Sequence, residues 1–206
     1  MIDKYRVEET LRSGYQGDTL VGQCTQTGDK VLIRSYLKQR LVENPHLSRS
    51  KMQELVAHQA VNHPNVIKLV ETLQDNLKYY LVFEHASEGP VSEIIKKKGC
   101  LKEHLVYSML LQLLEGVAAM HKSGLIHRNL STKRVYMKDN CLKIGGLDSS
   151  VFLNKTTEKN LCTGNPLNLA PELITSGLCS TKCDVWSLGV IVYEMIYGTP
   201  PVTGNN

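Results

Sequence analysis

The sequence predicts an α+β protein of two lobes, a strand-rich first part followed by a mainly helical second part. Three observations lead there. Apolar and polar residues alternate through the first third of the chain, as they do in strands. Past Glu84 the alternation gives way to a helical spacing. Near the end, Thr181 to Tyr197 is apolar on nearly every face, the pattern of a helix buried on all sides.

Tyr5 to Leu11, Thr19 to Thr25 and Val31 to Leu37 read as three strands, with Thr27-Gly28-Asp29 as a tight turn in which glycine supplies a positive φ. A helix is predicted from near Ser48 to Val61. It stops before His63-Pro64, because the residue preceding a proline avoids helical angles. Val66 to Leu73 and Tyr79 to Phe83 are two more strands, completing a first lobe over about residues 1–84. In the second lobe, about residues 85–206, Leu105, Met109, Leu113 and Val117 mark one face of a long helix ending near Gly124. Val135 to Met137 and Leu142 to Ile144 are short strands around the turn Lys138-Asp139-Asn140.

Composition narrows the classes of function. In 206 residues, 42% hydrophobic and 21% charged, there is enough apolar material for a sizeable core. The formal charge of +4 is spread thinly, and Lys96-Lys97-Lys98, the one dense patch, reads as a solvated helix end. No basic stripe interleaved with aromatics is present, which argues against a nucleic-acid partner. Met1-Ile2-Asp3-Lys4-Tyr5 leads straight into polar alternation, so no signal peptide is expected. Val185 to Tyr197 is too short to span a bilayer and contains Glu194, so the chain is expected in the cytoplasm without a membrane partner. Six scattered cysteines without a Cys-x-x-Cys fit reduced thiols there.

The motifs, taken in order from about Tyr5 to Pro201, resemble the protein kinase signature set. Leu11 to Thr19 lies where that family has its glycine-rich loop; Gly14 and Gly17 are kept and Arg12 replaces the first glycine. Val31-Leu32-Ile33-Arg34 matches the strand ending in the phosphate-pairing lysine, with Arg34 in the lysine position. Glu54 fits the helix glutamate that normally pairs with that lysine. An Arg34–Glu54 bridge is therefore expected to hold the helix inward without nucleotide. His127-Arg128-Asn129-Leu130-Ser131-Thr132-Lys133-Arg134 aligns without gaps on the catalytic loop, and Gly146-Leu147-Asp148 on the metal-binding Asp-Phe-Gly. Gly164-Asn165-Pro166 and Ala170-Pro171-Glu172 match the end of the activation segment. Asp184-Val185-Trp186-Ser187-Leu188-Gly189 matches the central helix.

The resemblance implies a kinase-like frame without kinase chemistry. Asn129 stands for the catalytic base, Ser131 for the lysine that steadies the transferred group, Arg134 for one metal ligand and Gly146 for the other. No catalytic position is intact, whereas the structural residues His127, Arg128, Glu172, Asp184 and Trp186 are kept, Asp184 being expected to brace the catalytic loop. A vestigial nucleotide pocket would comprise Gly14, Gly17, Thr19, Leu32, Arg34, Glu54, Glu84, Ala86 and Tyr136. Leu32, Tyr136 and Thr19 alter its walls, and a partly plugged slot is expected. ATP binding should be weak or absent, magnesium binding is not expected, and no cofactor is implied. These features favour an inactive scaffold or regulatory interaction module. The alternatives are a weak or atypical ATP-dependent serine/threonine kinase, or a truncated product without function. The family domain continues beyond this point, so the second lobe is expected to be incomplete. A protein partner would then cover helix Thr181–Tyr197 and supply the basic group that Glu172 lacks.

Overall fold

Five antiparallel strands build the first lobe in a computed structural model that describes residues 1–15, 17–153, 166–177 and 179–202. β1 (Tyr5–Arg12), β2 (Asp18–Cys24), β3 (Lys30–Leu37), β4 (Leu69–Gln74) and β5 (Lys78–Glu84) lie in the order β1-β2-β3-β5-β4. Alternation along β3 gives the sheet two faces. Val31 and Ile33 pack with Tyr5, Cys24, Tyr80 and Val82 on one side. Leu32 and Arg34 lie on the other, opposite Val21 and Thr19 of β2. Gly28 takes the positive φ, +78°, that its turn requires.

Between β3 and β4 run α1 (Lys38–Glu43) and α2 (Pro45–Ala60). The first was not anticipated, and the reason is physical: it buries no residue and so prints no apolar period on the sequence. The second begins earlier than expected, because the Asn44 side chain caps it, accepting from the Leu47 amide at 3.1 Å, with Pro45 at its first position. The strand expected from Val66 starts at Leu69 instead. Val66 forms a parallel bridge to Ile144, and the Ile67 amide donates to the Ile144 carbonyl at 2.8 Å, which stitches the two lobes together.

The second lobe comprises β6 (Gly89–Pro90), α3 (Val91–Lys98), α4 (Glu103–Lys122), β7 (Leu125–Ile126), β8 (Val135–Lys138), β9 (Cys141–Ile144), β10 (Val151–Phe152), α5 (Pro171–Ser176) and α6 (Thr181–Tyr197). Lys96, Lys97 and Lys98 form the exposed last turn of α3, as a solvated helix end should. Asp139 and Asn140, at φ +50° and +61°, make the two-residue loop between β8 and β9.

Two expectations need correction. Leu105 is exposed; the buried face of α4 is Val106, Met109, Leu113, Val117 and Met120, entered one position later. Nor is α6 buried on all sides. Leu188, Ile191 and Met195 join the core with Leu113 and Val117, whereas Val185 and Trp186 are 58% and 48% exposed. Apolar composition alone does not say which face has a neighbour, and no described element covers that one. Among the described residues no helix is long and apolar enough to cross a membrane. Gly164 and Asn165 lie outside the described residues.

Candidate active site

The loop after β7 is held from below by one carboxylate. Asp184, on the inner face of α6, accepts from the backbone amides of His127 and Arg128, each at 2.9 Å, and lies 2.8 Å from His121 Nε2. Arg128 sits at φ +65°, a conformation that a side-chain-bearing residue keeps only when its surroundings hold it there. The paired amides and an Arg128 Nε bond to the Ser149 carbonyl, at 2.7 Å, supply that hold. His127 is fully buried, with Nδ1 accepting from the Asn129 amide at 3.2 Å and Nε2 against the Gly145 carbonyl at 3.1 Å. Burial keeps its imidazole below the ordinary range, against the opposing pull of Asp184. From the same loop, Thr132 Oγ1 donates to Glu194 of α6 at 3.0 Å. The brace expected of Asp184 is thus present.

Above this platform, a guanidinium occupies the place the sequence assigns to two metal ligands. Arg134 Nη1 donates to the Gly146 carbonyl at 2.7 Å and ion-pairs with Asp148. With the Asn129 amide oxygen turned toward it, Arg134 also donates through Nε at 3.2 Å and Nη2 at 2.8 Å. Burial alone would raise the Asp148 carboxyl, but Arg134, helped by Lys51 and Arg34, holds it below its usual value. Gly146 has φ +73°, and a β-carbon there would stand 2.3 Å from Arg134 Nη1. The absent side chain at 146 and the large one at 134 are therefore complementary: the guanidinium lies where a side chain on residue 146 would project.

Arg34 and Glu54 form the expected bridge, with Nη1 to Oε1 at 2.5 Å. Glu54 is completely buried and also receives Lys51 at 3.4 Å, while Arg34 lies over the Phe83 ring, 5.4 Å from its centroid. Burial works against the Arg34 charge, but Glu54, with smaller contributions from Tyr36, Tyr136 and Asp148, outweighs it and raises the proton affinity of Arg34. The loop between β1 and β2 is tied to the sheet. Asp18 takes the Ser13 hydroxyl at 2.6 Å, the Ser35 hydroxyl at 3.1 Å and Lys78 at 3.0 Å. Gly17, at φ +128°, passes so close to β3 that a β-carbon would meet the Ser35 carbonyl oxygen at 2.0 Å.

Between the lobes lies a cavity of about 430 Å³, within the size range of small-molecule sites. Leu32, Arg34, Glu54, Glu84, Ala86 and Tyr136 line it as the sequence led us to expect. Gly14, Gly17 and Thr19 do not; Val21, one alternation further along β2, stands in the wall in place of Thr19. Leu32 and Tyr136 both stand in the walls of this slot, and a cavity remains beside them. The Tyr136 ring folds over Gly145, where a β-carbon would meet it at 3.0 Å.

His58, on α2, also faces the cavity, with Nδ1 3.0 Å from the Ile67 carbonyl. Burial pushes its imidazole down to about 4, against partial opposition from Glu54 and Ile67. The neutral ring is favoured in the folded state, so its contribution is complete above the unfolded value of about 6.5. It is lost as the pH falls through about 4. We expect acidification from about pH 7 to about pH 5 to cost on the order of 2 kcal/mol through this residue. His58→Gln, which keeps a donor for Ile67, should flatten the melting temperature across that interval. An unchanged slope would show that His58 is not the titrating group.

Elsewhere, Glu172 of α5 is half-buried and accepts from the Cys183 thiol at 3.6 Å, with no ion-pair partner among the described residues. Trp186 is on the exposed face of α6, away from the core. The sequence reading missed Lys51, which its three-residue spacing from Glu54 could have revealed. It also missed Asp148 as the partner of Arg134. No pattern in the sequence announces that pair, because the β8–β9 hairpin brings the two together.

The family model for the protein kinase domain matches residues 5–206. Calcium-dependent protein kinase 5 of Plasmodium berghei is 32% identical over 210 residues, covering 100% of this chain and 36% of that protein. NUAK family SNF1-like kinase 1 of Homo sapiens is 28% identical over 203 residues, covering 98% of this chain and 31% of that protein. Serine/threonine-protein kinase ATG1b of Arabidopsis thaliana is 29% identical over 210 residues, covering 100% of this chain and 29% of that protein. The chain spans about a third of the length of these relatives.

Proposed function

The chain belongs to the protein kinase family, and we propose that within it this chain is an interaction or regulatory module that transfers no phosphoryl group. The observation that carries this reading is the Arg134 guanidinium, seated among the Gly146 carbonyl, Asp148 and Asn129. Phosphoryl transfer depends almost entirely on positioning and on stabilising charge with metal ions. A fixed positive group at this place does not fit a divalent cation, and Asp148, the carboxylate that meets it, is already neutralised by it. Asn129, unlike a carboxylate, accepts no proton from a hydroxyl substrate. On this reading magnesium has no site, ATP binds weakly or not at all, and no cofactor serves the protein.

Retention of the frame supports an interaction role. The Asp184 brace and the Arg34–Glu54 bridge, both made by this chain's own side chains, keep the two lobes ordered as a surface. The exposed apolar residues of α6, Val185, Trp186, Tyr193 and Tyr197, together with Glu172, which has no ion-pair partner among the described residues, favour a protein partner on that side. We place its action in the cytoplasm. Incubation with radiolabelled ATP, magnesium or manganese, and a generic serine/threonine substrate should give no incorporation above a blank. Steady metal-dependent incorporation, abolished by Asp148→Asn, would overturn the proposal in favour of an atypical kinase.

A further inference from the structure

Two thiols meet at the start of α6. Cys179 lies just before the capping residue Ser180, and Cys183 is on the first turn of the helix. Cys183 is 2% exposed in a small core with Leu169, Ala170 and Leu173, and the half-buried Cys179 packs against it. Both are free cysteines. The Cys179 thiol donates to the Cys183 sulfur, and the Cys183 thiol donates in turn to Glu172 Oε1 at 3.6 Å. The Arg128 guanidinium is near Cys179, and its charge favours the thiolate. Among the described residues no three metal-ligating side chains are disposed to hold an ion. What the cluster offers is the chemistry of two thiols beside a carboxylate.

Burial outweighs Arg128 and pushes the Cys179 thiol up to about 12, and it raises Cys183 as well, so at neutral pH the pair rests as two protonated thiols. We propose that Cys179 and Cys183 form a site of reversible oxidation, which a peroxide closes to a disulfide. Cys179, the more exposed of the two, reacts first. Its thiolate attacks one peroxide oxygen, the O–O bond breaks, and the departing hydroxide recovers the proton that the thiol lost, leaving a sulfenic acid and water. Cys183 then gives its proton to Glu172, its sulfur attacks the Cys179 sulfur, and the hydroxyl leaves with that proton as a second water. Two thiols and one hydrogen peroxide become one disulfide and two waters. Closure takes the thiol donor away from Glu172 and ties the residue ahead of the α6 cap to the first turn of the helix. A small dithiol reverses it by exchange. The step is independent of the reading given above for phosphoryl transfer.

Lys182 lies between the two cysteines, so trypsin separates them unless they are bridged. The full chain is treated with hydrogen peroxide, its remaining thiols are alkylated, and the digest is read by mass spectrometry. The peptides carrying Cys179 and Cys183 should be found joined before Cys24, Cys100 or Cys141 is consumed, and dithiothreitol should part them again. The Cys179 peptide also carries Cys162, so variants assign the bond. Cys162→Ser should leave the peptides joined, and Cys179→Ser, at a half-buried position, should abolish the link. Bridging should be about tenfold faster at pH 8 than at pH 7, because the thiolate is the nucleophile and burial holds the thiol well above both. Peptides that stay separate while other cysteines oxidise, a link that survives Cys179→Ser or is lost in Cys162→Ser, bonds between molecules, or a rate indifferent to pH would each overturn the inference.

Discussion

Replacing Asp184 by alanine is expected to cost about 3–5 kcal/mol of folding free energy, close to what a marginally stable domain can lose. The carboxylate is completely buried and satisfies two backbone amides, those of His127 and Arg128, besides standing against His121. Alanine would leave both amides without partners inside the protein, at about 1–3 kcal/mol each. It would also release Arg128 from its left-handed conformation. Asp184→Asn should be milder, because one carboxamide oxygen can still accept from one amide. Urea unfolding would rank the three proteins, and hydrogen exchange would show whether lost protection centres on the amides of residues 127 and 128. A loss below about 1 kcal/mol for the alanine variant would mean that the loop is held by other contacts.

How far the sequence foretold these arrangements depends on the range of the interactions. The strands of the first lobe were legible because Val31, Ile33 and their neighbours alternate within a few residues, and the Asn44-Pro45 start of α2 was legible in principle by the same local logic. Helix α1 was not, since none of its residues is fully buried. The face of α4 was found, but its first turn was misplaced, because Leu105 and Val106 are both apolar and only packing chooses between them. In the site, the Arg34–Glu54 bridge followed from complementary charge at two motif positions. The Arg134–Asp148 pair did not, because Gly146 and Arg134 read separately as two losses. Only in three dimensions does the glycine prove to be what lets the guanidinium sit there. Thr19 and Val21 share a strand face, so alternation could not say which of them reaches the cleft.

The bridge across the first lobe should show a comparably large effect and bear more directly on function. Glu54→Ala is expected to destabilise the chain by about 3–5 kcal/mol, because Arg34 and Lys51 would then lie against an apolar wall without the carboxylate they share. Glu54→Gln should cost less, since its oxygen can still accept from Arg34, though it returns none of the charge. Arg34→Lys tests the guanidinium itself. It keeps the charge but loses the planar group that lies over Phe83 while reaching Glu54, so a loss of about 1 kcal/mol is expected. Because both partners of the bridge belong to this chain, α2 should show the same hydrogen-exchange protection with and without magnesium and ATP. Glu54→Ala should strip that protection from α2 and leave β8 and β9 unaffected. If nucleotide and metal instead raise the protection of α2 in the unaltered chain, the helix is positioned by ligand, and a frame held together by its own charges is the wrong account of this site.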